Sequence, residues 1–405
     1  MPKKICLLSD HHLCINPRLW KEAFLYEKDG FEVVVITMWQ SADLLRRDRD
    51  ILRGHAIEYK CYLNMIPGEA VPLSRFFYRL RKRLAGEAQR LLKFGTGWAV
   101  SYAPELLIRK ALVENADLYA AHLECGFIAG RALVKAGKKV SFDFEDWYSR
   151  DYLTPDRAVK LLSDVEAFAL REGSFCTAPS ATMAAALQKA YPASKAIAVI
   201  YNSFPDEELT ANILHSELRK NDAYRIIWTS RTIGPGRGLE TLLKAFELVE
   251  HPVELHIIGK CAEGYETFLQ SNWPKSIGHK LIFHDFIPHA DLLNKISTYD
   301  LGLAIEQYEP DSRNTTITNK ILQYLQAGVK VLATDTEGQK EVAGYFNGFV
   351  KLVPANNPLE WKKQLESFMH EQNPVSLEAQ QKIFREHFSW PVQENKLKQL
   401  ITTTL

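Results

Sequence analysis

The hydrophobic positions of this chain fall in short, nearly continuous runs, separated by stretches of helical period. In the first half the runs lie at 4–9, 32–37, 118–121, 139–144, 175–178 and 196–200. Between them, segments such as 17–29 and 162–172 place apolar residues three and four apart, which predicts helices. The second half repeats the scheme, with strands at 224–229, 253–259, 281–286, 301–304 and 329–334 and helices at 239–249, 289–296 and 320–327. Strands this apolar are buried on both faces, as in parallel sheets covered by helices. Two such sets predict two doubly wound α/β domains. The polar segment 202–221 reads as the linker, giving a first domain over 1–203 and a second over 204–388. A last helical pattern follows over 389–405, with Pro391 suited to its first turn. Ligands of doubly wound sheets bind outside the carboxyl ends of the strands. Two facing sheets therefore predict a cleft lined by the loops at 10–18, 122–126, 145–150, 230–238, 259–264 and 306–319.

Composition narrows the class. A chain of 405 residues, 46% apolar and 24% charged, is natural for two soluble domains. A net charge of +1 gives no field that would favour nucleic acid. The six cysteines are scattered without CxxC spacing, which predicts reduced thiols in a reducing compartment. The start, MPKK, runs into an apolar stretch too short for a signal-peptide core, and no run is long enough to span a bilayer. The expectation is a cytoplasmic protein, peripheral at the inner face of a membrane. The membrane enters through one basic amphipathic segment, 75–95. There Arg79, Lys82, Arg83, Arg90 and Lys93 interleave with Phe76, Phe77, Leu80, Leu84, Leu91 and Leu92. Such a face lies on anionic headgroups or forms an ordinary surface helix; peripheral contact is the expectation.

The chemistry concentrates at 226–246, IIWTSRTIGPGRGLETLLKAF. An apolar strand ends in a Gly/Pro-rich turn carrying Arg231 and Arg237, and an amphipathic helix begins. Such a junction points backbone N–H groups and a helix's positive end at whatever sits above the strand. Two guanidiniums add fixed charge suited to a diphosphate. Taken alone, the segment is equally an ordinary βα turn with solvated arginines. Asp143, Glu145 and Asp146 follow a first-domain strand. They would deprotonate or orient an acceptor hydroxyl, or else cap a helix. His122 follows another strand, for proton transfer or for a structural hydrogen bond. Glu306 and Glu309 lie in a long polar loop, to touch sugar hydroxyls or to stay solvated. No metal is expected, because cations on the protein would do the work of a divalent ion at the leaving group.

The order of motifs resembles the GT-B glycosyltransferases, specifically the large retaining family that uses nucleotide sugars. SRTIGPGRGLETLLKAF is similar to the family's strand–loop–helix, with Arg237–Gly238 at the helix start and Arg231 upstream. VELHIIGK resembles its next strand, ending in Gly259 and Lys260. NKILQYLQAGVKVLATD resembles its NKxxEYxxxGxPVxxT segment, and YNSFP the interdomain asparagine turn. Departures accompany these matches. Gln323 stands where the family has a glutamate that accepts from a ribose diol, and the partner glutamate would fall near Thr315. DHHLCINPRLWKEA replaces the first glycine-rich loop. FDFEDWYS puts Glu145 and Asp146 where the family shows D-x-H-E.

The resemblance implies two Rossmann-like domains in a GT-B arrangement, with the final helix crossing back onto the first. It implies donor contacts from Arg231, Gly236, Arg237, Gly238, Gly259, Lys260, Glu306, Asn319, Lys320 and Gln323. His11, His12, Asn16 and Arg18 would meet the acceptor, and Glu145, Asp146 and His122 would serve catalysis. The expected activity is retaining transfer from a nucleotide diphosphate sugar to a glycan or lipid-linked acceptor in bacterial cell-surface polysaccharide synthesis. No cofactor, metal or nucleic acid takes part. Two rivals remain: a nucleotide-sugar epimerase on the same fold, and a non-catalytic nucleotide-sugar-binding protein.

Overall fold

The computed structural model describes residues 2–92, 95–151, 157–205, 223–275, 278–285, 287, 289–371 and 376–405. Lys93, Phe286 and linker residues 206–221 lie outside them. The chain divides into two units, 1–200 with 396–405, and 201–395. The pattern reading drew these divisions at 203/204 and 388/389.

The first unit is built on seven strands, all paired in parallel. They are β1 (Lys4–Leu8), β2 (Glu32–Trp39), β3 (Ile57–Asn64), β4 (Leu118–His122), β5 (Val140–Asp143), β6 (Phe175–Ala178) and β7 (Ile197–Val199), in the order β3-β2-β1-β4-β5-β6-β7. Its helices are α1 (Pro17–Lys28), α2 (Ala42–Ile51), α3 (Pro72–Leu92), α4 (Gly97–Val100), α5 (Pro104–Glu114), α6 (Leu123–Lys135), α7 (Val159–Glu172) and α8 (Ala181–Ala190). The order reverses between β1 and β4, which opens a crevice above their carboxyl ends. The core runs through both sheet faces, with Leu8, Ile36, Tyr119, Phe127, Phe142 and Phe144 almost wholly buried.

The second unit repeats the plan with six parallel strands. They are β8 (Tyr224–Ile233), β9 (Val253–Cys261), β10 (Lys280–His284), β11 (Leu301–Ala304), β12 (Lys330–Thr334) and β13 (Val350–Val353), in the order β10-β9-β8-β11-β12-β13. Its helices are α9 (Leu239–Phe246), α10 (Tyr265–Ser271), α11 (His289–Ile296), α12 (Asp311–Thr315), α13 (Asn319–Gln326), α14 (Glu337–Tyr345), α15 (Pro358–Met369) and α16 (Leu377–His387). Here the reversal lies between β8 and β11. Trp228, Phe246, Leu303 and Trp361 anchor this core.

The last helix, α17 (Trp390–Thr404), serves both units. Its start belongs to the second, where Gln393 Oε1 accepts from the Tyr201 N–H at 3.2 Å. Its end belongs to the first. There Lys396 Nζ donates to the Val199 carbonyl at 3.3 Å and Lys398 pairs with Asp29 at 2.7 Å. Lys3 and Lys139 hold the carbonyls of Leu405 and Thr404.

The strands that the hydrophobic pattern missed, β3 and β13, are sheet edges. One flank is unpaired, so their sequences, IEYKCYLN and VKLV, mix charge with apolar residues. All six cysteines are unpaired. No helix among the described residues is long and apolar enough to cross a membrane.

Candidate functional site

In the first unit the crevice between β1 and β4 is floored by a buried network of charges. Asn16 caps α1, accepting from the Leu19 N–H at 3.1 Å, and its amide donates to Glu145 Oε1 at 2.7 Å. Arg18, in the first turn of α1, is 6% exposed. Its guanidinium holds both oxygens of Asp143 at 2.6 Å and donates a third bond to the Ile200 carbonyl at 2.8 Å. Thr177 on β6 donates to Asp143 as well, at 2.6 Å. One turn beyond Arg18, Glu22 accepts from His122 Nε2 at 3.1 Å and from the Tyr26 hydroxyl at 3.2 Å. His122 Nδ1 faces Glu145 at 3.0 Å and Asp143 at 3.5 Å.

Both His122 nitrogens therefore meet carboxylates, which is the geometry of an imidazolium. Burial opposes that charge, but Glu22, Glu145 and Asp143 overcome it and raise His122 from 6.5 to about 10. The same cations act on Asp143. Against its burial, Arg18 first and His122 after it hold its carboxyl below the usual range. Two cations thus stand against three carboxylates, and the network surfaces at Glu145, the member most open to solvent.

The backbone contributes at the same place. Leu123, next to His122, sits at φ +61°, a left-handed conformation that costs a branched residue on the order of 1–3 kcal/mol. That turn lets α6 start directly on the end of β4. A Cβ at Gly126 would meet the Leu8 carbonyl oxygen at 2.9 Å, so the helix rests tightly on β1.

Glu22, His122 and Asp143 bring ligand-type atoms within 4.8 Å of one another, the spacing of a metal site. Their chemistry argues otherwise. Arg18 occupies both Asp143 oxygens, and His122 spends both N–H groups on carboxylates. A divalent cation would have to displace a guanidinium and an imidazolium proton.

Stability should follow this network with pH. A cation whose pKa is raised from 6.5 to about 10 contributes fully below pH 6.5, and that contribution is lost as pH rises through about 10. The expected loss is a few kcal/mol in order of magnitude, read as amide-exchange protection of β4 and β5 between pH 6 and 10. His122→Gln should flatten that dependence; an unchanged slope in the variant would show that His122 is not the titrating group.

The remaining first-unit residues separate clearly. His12 is buried, its Nδ1 at 2.6 Å from Asp48 and its Nε2 accepting from the N–H groups of Gln40 and Ser41 at 2.8 and 3.2 Å. It ties the first loop to α2 and has no nitrogen left for an acceptor. Asn16 and Arg18 are likewise committed within the fold, against the expectation of acceptor contact. His11 is exposed and stays available. Asp146 is exposed as a residue, yet burial of its carboxyl, then Glu145 and Asp151, push it up to about 7; solvent screens part of that shift.

In the second unit the expected residues lie at the ends of β8 and β9, after β11 and on α13. The turn after β8 needs Gly236 at φ +73° and Gly238 at φ +83°, and Gly238 is the N-cap of α9. No side chain caps α9, which leaves its first N–H groups open. Gly236 donates to Glu240 Oε1 at 3.3 Å, and Glu240 is fixed by the Tyr265 hydroxyl at 2.7 Å. A Cβ on Gly238 would lie 2.4 Å from Ile305 and 2.9 Å from Gln307, so the turn lies against the loop after β11. At Gly259, φ +144°, a Cβ would lie 1.8 Å from the Ser230 carbonyl oxygen, so β9 closes on β8 at this end.

Arg231 is exposed, Arg237 is half-buried, and neither has a polar partner among the described residues. Lys260 is exposed beside them, across from Thr232. Lys320 differs. Both it and Glu306 are largely buried, and they pair with each other as charges without the alignment of a hydrogen bond. Asn319 also faces inward, its Oδ1 accepting from Asn202 at 2.7 Å. Gln323 is 6% exposed, one residue before Tyr324, whose hydroxyl accepts from the Thr229 N–H at 3.0 Å and fixes α13 against β8. Glu309 is exposed.

The pattern reading missed Glu22 and Thr177. Glu22 carried one signal, its place four residues after Arg18 on the same helix face. Thr177 carried none.

The family described as "Glycosyl transferases group 1" matches residues 223–371, so the second unit carries a glycosyl transferase group 1 domain. No curated protein sequence matches the chain. Among solved structures, HepE from Anabaena, in complex with UDP and glucose, is 15% identical with a TM-score of 0.71, covering 99% of this chain and 100% of that one. Sucrose-phosphate synthase from Thermosynechococcus elongatus is 13% identical with a TM-score of 0.71, covering 99% and 98%. A glycosyltransferase from Rickettsia africae is 13% identical with a TM-score of 0.67, covering 100% and 98%. The fold is that of the GT-B glycosyltransferases.

Proposed function

We propose that this chain, with a glycosyl transferase group 1 domain on a GT-B fold, moves a sugar with retention from a nucleotide diphosphate sugar to a glycan or lipid-linked acceptor. The observation that carries the reading is the glycine turn at the β8/β11 reversal, inside the matched domain, where Arg231 and Arg237 have no polar partner among the described residues and the helix start is uncapped by a side chain. A nucleoside diphosphate gains charge as the glycosidic bond breaks. Fixed cations and open N–H groups stabilise that charge, which is the work a divalent metal does elsewhere. HepE has been seen with UDP and with UDP-glucose, which supports a nucleotide sugar as donor here. Gln323, buried on α13, would accept from the ribose without charge. In the first unit, Glu145 is the carboxylate for an acceptor hydroxyl. His122 positions it as a cation and Asn16 as a neutral donor. Membrane contact through α3 would bring the enzyme to a lipid-linked acceptor, in synthesis of a cell-surface polysaccharide.

The test is a thermal-shift screen with UDP-, GDP-, ADP-, CMP- and dTDP-sugars, followed by product analysis with the donor that binds. A ligand at about 100 times its Kd adds about 2.7 kcal/mol of apparent stability. One nucleotide class should raise the unfolding temperature, and nucleoside diphosphate should be released only when acceptor is present, with EDTA having no effect. Donor consumed without acceptor would favour an epimerase, and binding without turnover a non-catalytic module. Activity lost to EDTA and restored by magnesium or manganese would overturn the metal-free reading.

A further inference from the structure

The helix α3 is amphipathic the wrong way round for a surface helix. Its apolar side faces outward. Leu73, Phe76, Phe77, Leu80, Leu84 and Leu91 are 40–76% exposed. At 100° per residue they fall within an arc of about 100°, along a rod of about 30 Å. The opposite side, which carries buried Gln89, faces the first unit. Leaving six large apolar side chains on one outward arc forgoes burial that folding otherwise gains. Contiguous apolar surface of this kind marks an interaction site.

Charge indicates what covers it. The helix has six basic residues and one acidic, in a chain whose net charge is +1. Arg79, Arg83 and Arg90 line one edge of the apolar arc. Arg90 pairs with Glu87 at 2.7 Å, and Arg81 turns inward to Glu105 at 2.7 Å. Arg79 and Arg83 meet no carboxylate among the described residues. Between α3 and α4 lies a cavity of about 290 Å³ lined by Arg79, Lys82, Arg83, Glu87, Ala99 and Tyr102. Lys82 is held at its wall, 4.7 Å from the Tyr102 ring centroid. Three cations thus converge on a hollow beside an exposed hydrocarbon stripe.

We propose that α3 docks on an anionic lipid surface, with its apolar arc in the acyl boundary and one lipid phosphate in the Arg79–Lys82–Arg83 hollow. A phospholipid offers both parts, an anionic phosphate for the hollow at the helix edge and acyl chains for the stripe. A second protein copy would face the same row of unpaired cations and be repelled by it. The inference rests on the reading of α3 as the membrane-facing element and adds a headgroup site to it.

The test is co-sedimentation of the full chain with vesicles of phosphatidylcholine alone or with about a third phosphatidylglycerol. Strong binding is expected only with the anionic lipid. Replacing Phe76, Phe77, Leu80 and Leu84 by serine should abolish it. The triple change Arg79→Gln, Lys82→Gln, Arg83→Gln should weaken it about 100-fold, at about fivefold per cation near an anionic surface. Soluble glycerol phosphate that displaced the chain from vesicles would show a free-phosphate site and overturn the commitment to a membrane. So would equal binding to both vesicle types, or a dimer in solution that ignores vesicles and is split by the serine changes. Nucleotide-sugar turnover measured on the same preparations separates the two readings: turnover without vesicle binding overturns this inference alone, and vesicle binding without nucleotide binding overturns the proposed function alone.

Discussion

Arg18→Met is expected to cost the first unit about 3–5 kcal/mol, the scale for removing one member of a buried ion pair. The size follows from what is left behind. Asp143 is 4% exposed and would lose two charge-assisted bonds at 2.6 Å, while the Ile200 carbonyl would lose its donor. His122 alone would then face Glu22, Asp143 and Glu145. Methionine nearly preserves the volume, so the loss is electrostatic rather than a cavity. Amide exchange in β4 and β5 under mild denaturant would report the first unit by itself. Adding Asp143→Asn to Arg18→Met should recover part of the loss, because it removes the orphaned charge; a cost below about 1 kcal/mol for the single change would mean that the network holds little of the fold.

Arg237→Ala should weaken nucleoside diphosphate binding by about 10- to 100-fold, the equivalent of one charge-assisted hydrogen bond at 1.5–3 kcal/mol. Unlike Arg18, Arg237 is half-buried and has no partner within the described residues, so its removal should leave the unfolding temperature of the free protein unchanged. Calorimetric titration of the preferred nucleoside diphosphate against wild type and variant measures the difference. Equal affinities would remove the glycine turn from the donor site.

How far the chain could be read in advance depended on how local each feature is. The central strands were legible because burial on both faces leaves an uninterrupted apolar run. Edge strands β3 and β13 were not, because an unpaired flank tolerates Lys60 and Lys351. The glycine turn at 234–238 could be read because its conformation is written in its own residues. The charge network could not. Arg18 meets Asp143 across 125 residues, and His122 meets Glu22 across 100. From the sequence, His12, Asn16 and Arg18 look like polar residues of an open loop. Only the adjacency of β1 with β4 and β5 for Asn16 and Arg18, and the packing of α2 for His12, shows that their partners are already inside the fold.

The Lys320–Glu306 pair bears on how donor affinity should respond to ionic strength. Mobile ions are released from a binding site only by cations that hold them. Arg231 and Arg237, without partners among the described residues, draw solution anions. Lys320 has a resident carboxylate. On the proposed function, a diphosphate that reached Lys320 would exchange one anion for another and set few ions free. The logarithm of affinity should then fall with the logarithm of salt concentration at a slope set by two cations rather than three. Glu306→Gln should steepen that slope by exposing the third.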